Sequence, residues 1–144
     1  MKFSQPRYDE NDPAAKKLMI KFFQNHEYSI ISEVEKFEHD LIIEKKGKIY
    51  FIELEMKASL VFTDSNSFKY DTVSFLKRKD KLHLIAPYTY FIIQPKNKWA
   101  VYCHSNTILQ EKYKVMKATK SRPYELEEYY HVPKELCKFI DLKK

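Results

Sequence analysis

The sequence predicts an α/β domain built on a mixed β-sheet flanked by helices. Three observations carry this: an amphipathic helix near the start, three strand-like segments directly after it, and a second strand pair further on. Irregular and helical segments separate and follow them, so strands do not simply alternate with helices. At 144 residues the chain is long enough for a real core and is expected to form one domain, 1–144.

The first helix is expected to start at Asp12-Pro13, with Asp12 as N-cap and Pro13 in the first helical position. The run "PAAKKLMIKFFQN" then places Ala15, Leu18, Met19, Phe22 and Phe23 along one apolar stripe and ends near Asn25. "YSIISEVEKF" (28 to 37) is rich in β-branched and aromatic residues and reads as a strand. "HDLIIE" and "KIYFIELEMKA" are the next two strands, joined through "KKGK". Gly47, the chain's only glycine, supplies the positive φ that so short a hairpin needs.

"SLVFTDSNSFKYD" reads as a loop and "TVSFL" as a short strand or extended segment. "KRKDKLHLIAP" is expected to be helical up to the residues before Pro87. "YTYFIIQ" and "KWAVYCHS" make a second hairpin around "PKNK". "SNTILQEKYKVM", capped by Ser105 or Asn106, and "PKELCKFIDL", opening on Pro133, are expected to be helices.

Composition narrows the function classes. The chain is 44% hydrophobic and 32% charged, as soluble globular proteins are, and no apolar run approaches a membrane span. The N-terminal residues lack the apolar stretch of a signal peptide, so an intracellular protein with no membrane association is expected. Cys103 and Cys137 show neither disulfide-framework nor zinc-site spacing and read as small buried hydrophobes. No GxSxG, GxGxxG or GxxxxGK pattern is present. The net charge of +6 favours a polyanionic partner. Lysines are densest at Lys77, Arg78, Lys79 and Lys81 and from Lys112 to Arg122, either a nucleic-acid face or a solvated surface.

The third strand raises the functional question. With period two, Ile52, Leu54 and Met56 share one face and Glu53, Glu55 and Lys57 the other. Buried carboxylates are expensive unless paired, protonated or bound to a metal. The cluster is therefore a salt-bridged structural feature or a metal site. A hairpin centred near residue 47 brings Asp40 beside residue 54 or 55, at the Glu55–Lys57 end. Carboxylates from Asp40 and Glu55 suit Mg²⁺, which keeps waters and accepts phosphate oxygens, and Lys57 then stands near the transition-state charge.

Asp40, a hairpin, and then Glu55-Met56-Lys57 resembles the D…(D/E)xK signature of the PD-(D/E)xK nuclease superfamily, and the helix with three strands is similar to the start of that fold. The likeness covers roughly residues 10 to 60. It implies a restriction-endonuclease-like fold and a metal-dependent DNA endonuclease, of the kind used in repair, recombination or restriction. It further implies Asp40, Glu55 and the Met56 carbonyl as ligands of Mg²⁺, for which Mn²⁺ can substitute, with Lys57 assisting hydrolysis. His39 stands where the family has a proline, Glu53 is an extra acid that offers a further ligand or a shifted register pairing Glu53 with Glu55, and Glu10 is preferred to Asp12 as the acid of the first helix.

Three weaker features accompany the motif. His39 is a proton shuttle or polar surface. Lys79 grips a phosphate from within the same cleft or lies on the surface. The aromatic residues stack on bases or, more simply, fill the core. Three functions follow: a DNA endonuclease, a catalytically silent nucleic-acid-binding domain of the same fold, and a protein-interaction module. A small nuclease that cuts both strands implies a symmetric homodimer.

Overall fold

A computed structural model describes residues 4–32, 39–118 and 126–144, with the backbone alone at 4–12, 117, 118 and 126. Helix α1 (Ser4–Asn25) leads into β1 (Ser29–Ser32), β2 (Leu41–Lys45) and β3 (Lys48–Met56). After a loop come β4 (Thr72–Leu76), a 3₁₀ segment (Lys77–Leu84), β5 (Thr89–Gln94) and β6 (Trp99–His104). A single helical turn α2 (Ser105–Ile108), β7 (Lys114–Ala118), β8 (Leu126–Pro133) and β9 (Lys138–Asp141) complete the chain.

The strands form two sheets. The larger has the order β1-β2-β3-β5-β6-β9 and the smaller β4-β8-β7. Every pairing is antiparallel except β3 with β5, which makes the larger sheet mixed, as the sequence predicts. Alternation along β3 and β5 sends residues to two separate cores. Ala15, Met19, Phe22 and Phe23 of α1 pack on Leu41, Ile52, Leu54, Phe91 and Ile93 on one face. On the other face Tyr90, Ile92 and Val101 pack with Phe75, Tyr130 and Val132 of the smaller sheet. The domain is thus a three-layer sandwich, helix on sheet on sheet, and the Glu53 side of β3 lies toward the smaller sheet.

Several expected elements differ. Helix α1 begins at Ser4 rather than Asp12, and Pro13 lies inside it. Pro6, in its first turn, has no intrahelical acceptor to lose, so the start signal sits upstream of the one read. Of the first predicted strand only Ser29–Ser32 is described and residues 33–38 lie outside the described residues. The segment after β4 is a 3₁₀ helix. The two C-terminal helices are a correction: the first is one turn followed by β7, and the second is a short 3₁₀ segment, Lys134–Leu136, followed by β9. Both strands exist because other strands offer them ladders, the next strand β8 to β7 and the distant β6 to β9; β8 itself has no counterpart among the predicted elements. Cys103 and Cys137 are buried and free, as expected, and donate weakly to the carbonyls of Leu136 (3.6 Å) and Pro133 (3.8 Å). No described helix is long and apolar enough to cross a membrane.

The β2–β3 turn fixes everything that follows. Lys45 pairs with Lys48, leaving a two-residue loop in which Lys46 has φ 53° and Gly47 φ 80°. Two successive positive φ values are those of a type I′ turn, whose twist matches the hairpin. A Cβ at Gly47 would meet no atom within 4 Å, so the demand for glycine comes from the backbone alone. Gly47→Val should therefore destabilise the fold by about 1 kcal/mol or more, and Gly47→Asn by clearly less, in equilibrium urea denaturation. Equal stabilities for Gly47→Val and the parent would contradict the turn assignment.

Candidate functional site

The two-residue turn sets the register of β2 against β3 at Leu41↔Ile52. Continued by one residue, this places Asp40 beside Glu53, not beside residue 54 or 55 as the sequence suggests. The backbone N–H of Leu54 donates to Asp40 Oδ2 at 2.8 Å and fastens the carboxylate there. The centre of the acidic cluster accordingly lies two residues earlier on β3 than expected.

Lys79 completes the centre. Its ammonium, carried by the 3₁₀ segment, donates to Glu53 Oε1 at 3.0 Å, Asp40 Oδ2 at 3.4 Å and the Leu54 carbonyl at 3.5 Å. The Tyr90 ring centroid lies 5.5 Å from the same nitrogen. Tyr88 holds the segment in place, its hydroxyl donating to the Lys79 carbonyl at 3.1 Å. Glu53 is 1% exposed and its other oxygen, Oε2, is 2.8 Å from His39 Nδ1. An ionised carboxylate only accepts, so Nδ1 is the donor in this contact. The other ring nitrogen, Nε2, is buried with no hydrogen-bond partner among the described residues. His39 is 2% exposed and tilted against Phe51, so its ring is buried rather than solvated at the strand entry.

Glu55 and Lys57 form a neighbouring group on the same strand face. Tyr90 OH donates to Glu55 Oε1 at 2.6 Å. Lys57 Nζ stands 3.9 Å from Glu55 Oε2 and donates to the Ser74 carbonyl at 3.3 Å. The Met56 side chain packs on the helix-side core. Of the expected set, Asp40 meets Glu53 and Lys79, whereas Glu55 meets Lys57 and Tyr90. The helix backbone includes position 10, but the Glu10 and Asp12 side chains lie outside the described residues.

The pKa shifts follow from this geometry. Burial pushes the Glu53 carboxyl above its ordinary range and the Asp40 charge adds to that, against the opposing effects of Lys79 and His39. Burial alone draws the Lys79 ammonium down, but Asp40, Glu53 and Glu55 together outweigh it and hold its pKa above the usual value. The two directions agree physically: Lys79 sits among three carboxylates, while Glu53 has one close cation and a like charge beside it. Burial and the Glu55 carboxylate likewise keep the Tyr90 phenol neutral.

Among the described residues, no group of three or more His, Cys, Asp and Glu side chains stands close enough to hold a metal ion. Asp40 and Glu53 do converge on one positive centre, with the Leu54 carbonyl as a third oxygen. In donor type and convergence these groups fit a hard divalent cation, which takes carboxylate and carbonyl oxygens and completes its shell with water. The point of convergence holds the Lys79 ammonium.

The expected basic patch is largely neutralised within the chain. Lys77 pairs with Asp80 (3.1 Å) and Glu128 (3.9 Å), and Arg78 with Glu127 (3.3 Å). Of the second lysine run, residues 119–125, including Arg122, lie outside the described residues. The sequence does not single out Tyr88 and Tyr90 among its many aromatics. Their signal is the alternation in "YTYFIIQ", which becomes informative once β5 is paired in parallel with β3, opposing Tyr90 to Glu53. No protein-family model matches the chain, and neither does any curated protein.

The raised Glu53 pKa has a signed consequence. Its contribution to stability is complete below the unfolded value near 4.5 and is lost as pH rises through the folded value. Glu53→Gln keeps the shape and removes the titration. Relative to this variant, the parent should lose stability as pH rises from the unfolded value near 4.5 towards neutrality in urea denaturation. A difference between the two that stays constant over this range would contradict the assignment.

Proposed function

We propose that this chain is a metal-dependent phosphodiester hydrolase acting on DNA, with a restriction-endonuclease-like core of helix and mixed sheet. The observation that carries the reading is the convergence of Asp40 Oδ2, Glu53 Oε1 and the Leu54 carbonyl on one positive centre. These are the donor types that the D…(D/E)xK resemblance assigns to Asp40, Glu55 and the Met56 carbonyl, displaced by two residues along β3. The register favours Asp40 with Glu53 as the ligand pair and puts Glu55 at the position where the motif has its lysine.

A divalent ion, Mg²⁺ or Mn²⁺, supplies Lewis-acid polarisation of the phosphate and a more acidic bound water. The chain's own residues have separate tasks. Asp40 is held by the Leu54 N–H, so its carboxylate is oriented before anything binds. Glu53 is oriented from behind by His39. Glu55 is anchored by Tyr90 and one-fifth exposed beside Lys57, where a carboxylate can take a proton from water and the ammonium can meet phosphate charge. A homodimer would bring two such sites to the two strands of a duplex.

The completeness of the internal pairing favours a second reading, a catalytically silent nucleic-acid-binding domain in which the cluster is structural. Incubation with plasmid, linear and branched DNA under Mg²⁺, Mn²⁺ or EDTA separates them. The hydrolase reading expects metal-dependent cleavage that falls by about 10³-fold or more in Asp40→Asn and Glu53→Gln, with smaller losses in Lys57→Ala. Loss in Glu55→Gln and Lys57→Ala with an active Glu53→Gln would restore the unshifted register. Failure to cleave any substrate with either metal would leave the silent domain.

A further inference from the structure

Lys79 has the surroundings of a bound metal ion rather than those of a surface lysine. Two carboxylate oxygens and a backbone carbonyl lie within 3.0–3.5 Å of its nitrogen, and an aromatic face closes another side. These donors come from β3 and from the residue before β2, whereas the lysine arrives on a separate 3₁₀ segment. The cage therefore belongs to the sheet and its cation to a flexible side chain from another segment. Tyr88, His83 and the ion pairs of Lys77 and Arg78 hold that segment's backbone in place, so any movement lies in the four-carbon stem of Lys79. Both Glu53 oxygens are hydrogen-bonded, Oε1 to Lys79 and Oε2 to His39, so only the Lys79 contact has to give way to an ion.

We propose that Lys79 is the resident cation of a divalent-ion site: its ammonium and a divalent ion are alternative occupants of the Asp40–Glu53–Leu54 cage, and Lys79 swings outward when the ion enters. This rests on the metal-dependent reading of the site and adds its regulation. Without the ion, Lys79 keeps two adjacent carboxylates from repelling each other and holds the cage assembled. With it, the same ammonium becomes a mobile positive charge at the rim, suited to a phosphate of the bound strand. Two cations cannot share the cage, because each would face the other at contact distance.

Acylation of lysines by a water-soluble N-hydroxysuccinimide ester, read by mass spectrometry on the intact chain without nucleic acid, tests this directly. Lys79 should label slowly in EDTA, and several-fold faster with saturating Mn²⁺, while exposed Lys69 labels equally in both. In parallel, Lys79→Gln should bind Mn²⁺ roughly tenfold more tightly than the parent by calorimetry, since the competing occupant is gone. If Lys79→Gln fails to fold, the labelling of the parent decides alone. Labelling of Lys79 that Mn²⁺ leaves unchanged, or Mn²⁺ affinity no higher in a folded Lys79→Gln, overturns the proposal, as does absence of Mn²⁺ binding to the parent. DNA cleavage with Lys79 still protected would sink this inference and leave the hydrolase reading intact; Lys79 uncovered by Mn²⁺ with no cleavage would do the reverse.

Discussion

One ammonium group, Lys79 Nζ, neutralises a carboxylate pair that the fold could not otherwise bury. Glu53 is almost fully enclosed and stands beside Asp40 in the hairpin register, so two like charges meet where water is scarce. Removing a single partner from such a cluster leaves an uncompensated buried charge, a larger penalty than never having built it. The surrounding structure serves this contact. The type I′ turn at Lys46–Gly47 sets which acid opposes Asp40, and the parallel β3–β5 pairing brings Tyr90 under the lysine. The 3₁₀ segment after β4 carries the lysine back across the sheet, and Tyr88 pins it there.

The two faces of β3 divide the labour of the domain. Ile52 and Leu54 belong to the core under α1 and give the strand its place in the larger sheet. Glu53 and Glu55 point the other way, into the layer shared with the smaller sheet, where apolar residues would have packed at lower cost. Pairing, hydrogen bonds from His39 and Tyr90, and partial access to water at Glu55 and Asp40 make the arrangement tolerable. Such a concentration of ionisable groups inside a sheet layer is characteristic of places where charge is used, although structural ion-pair networks perturb pKa values in the same way.

The local parts of this picture are legible in the sequence. The C-terminal end of α1, the two hairpins, the positive φ at Gly47 and the period-two face of Glu53, Glu55 and Lys57 all follow from patterns a few residues long. The partner of Asp40 does not, because one or two residues in the turn decide whether Glu53 or Glu55 stands across from it. The start of α1 is not legible, because Asp12-Pro13 imitates a cap inside a helix that begins at Ser4. Strands β7 and β9 read as helices because the ladders that stabilise them come from β8 and β6, which no local pattern announces. Lys79 is the clearest case. It lies 26 residues from Glu53 and 39 from Asp40, amid other lysines, and only the tertiary fold distinguishes it from them.

The central claim is that Lys79 and Glu53 are energetically one unit, and a double-mutant cycle on stability measures that most directly. Urea denaturation of the parent, Lys79→Met, Glu53→Gln and the double variant gives the coupling. Lys79→Met alone is expected to destabilise by about 3 kcal/mol, since it strands the acid pair, and adding Glu53→Gln should recover much of that loss. A coupling energy of about 1–3 kcal/mol is the predicted result. Additivity of the two substitutions within about 0.5 kcal/mol would contradict it and make Lys79 one more lysine on the surface.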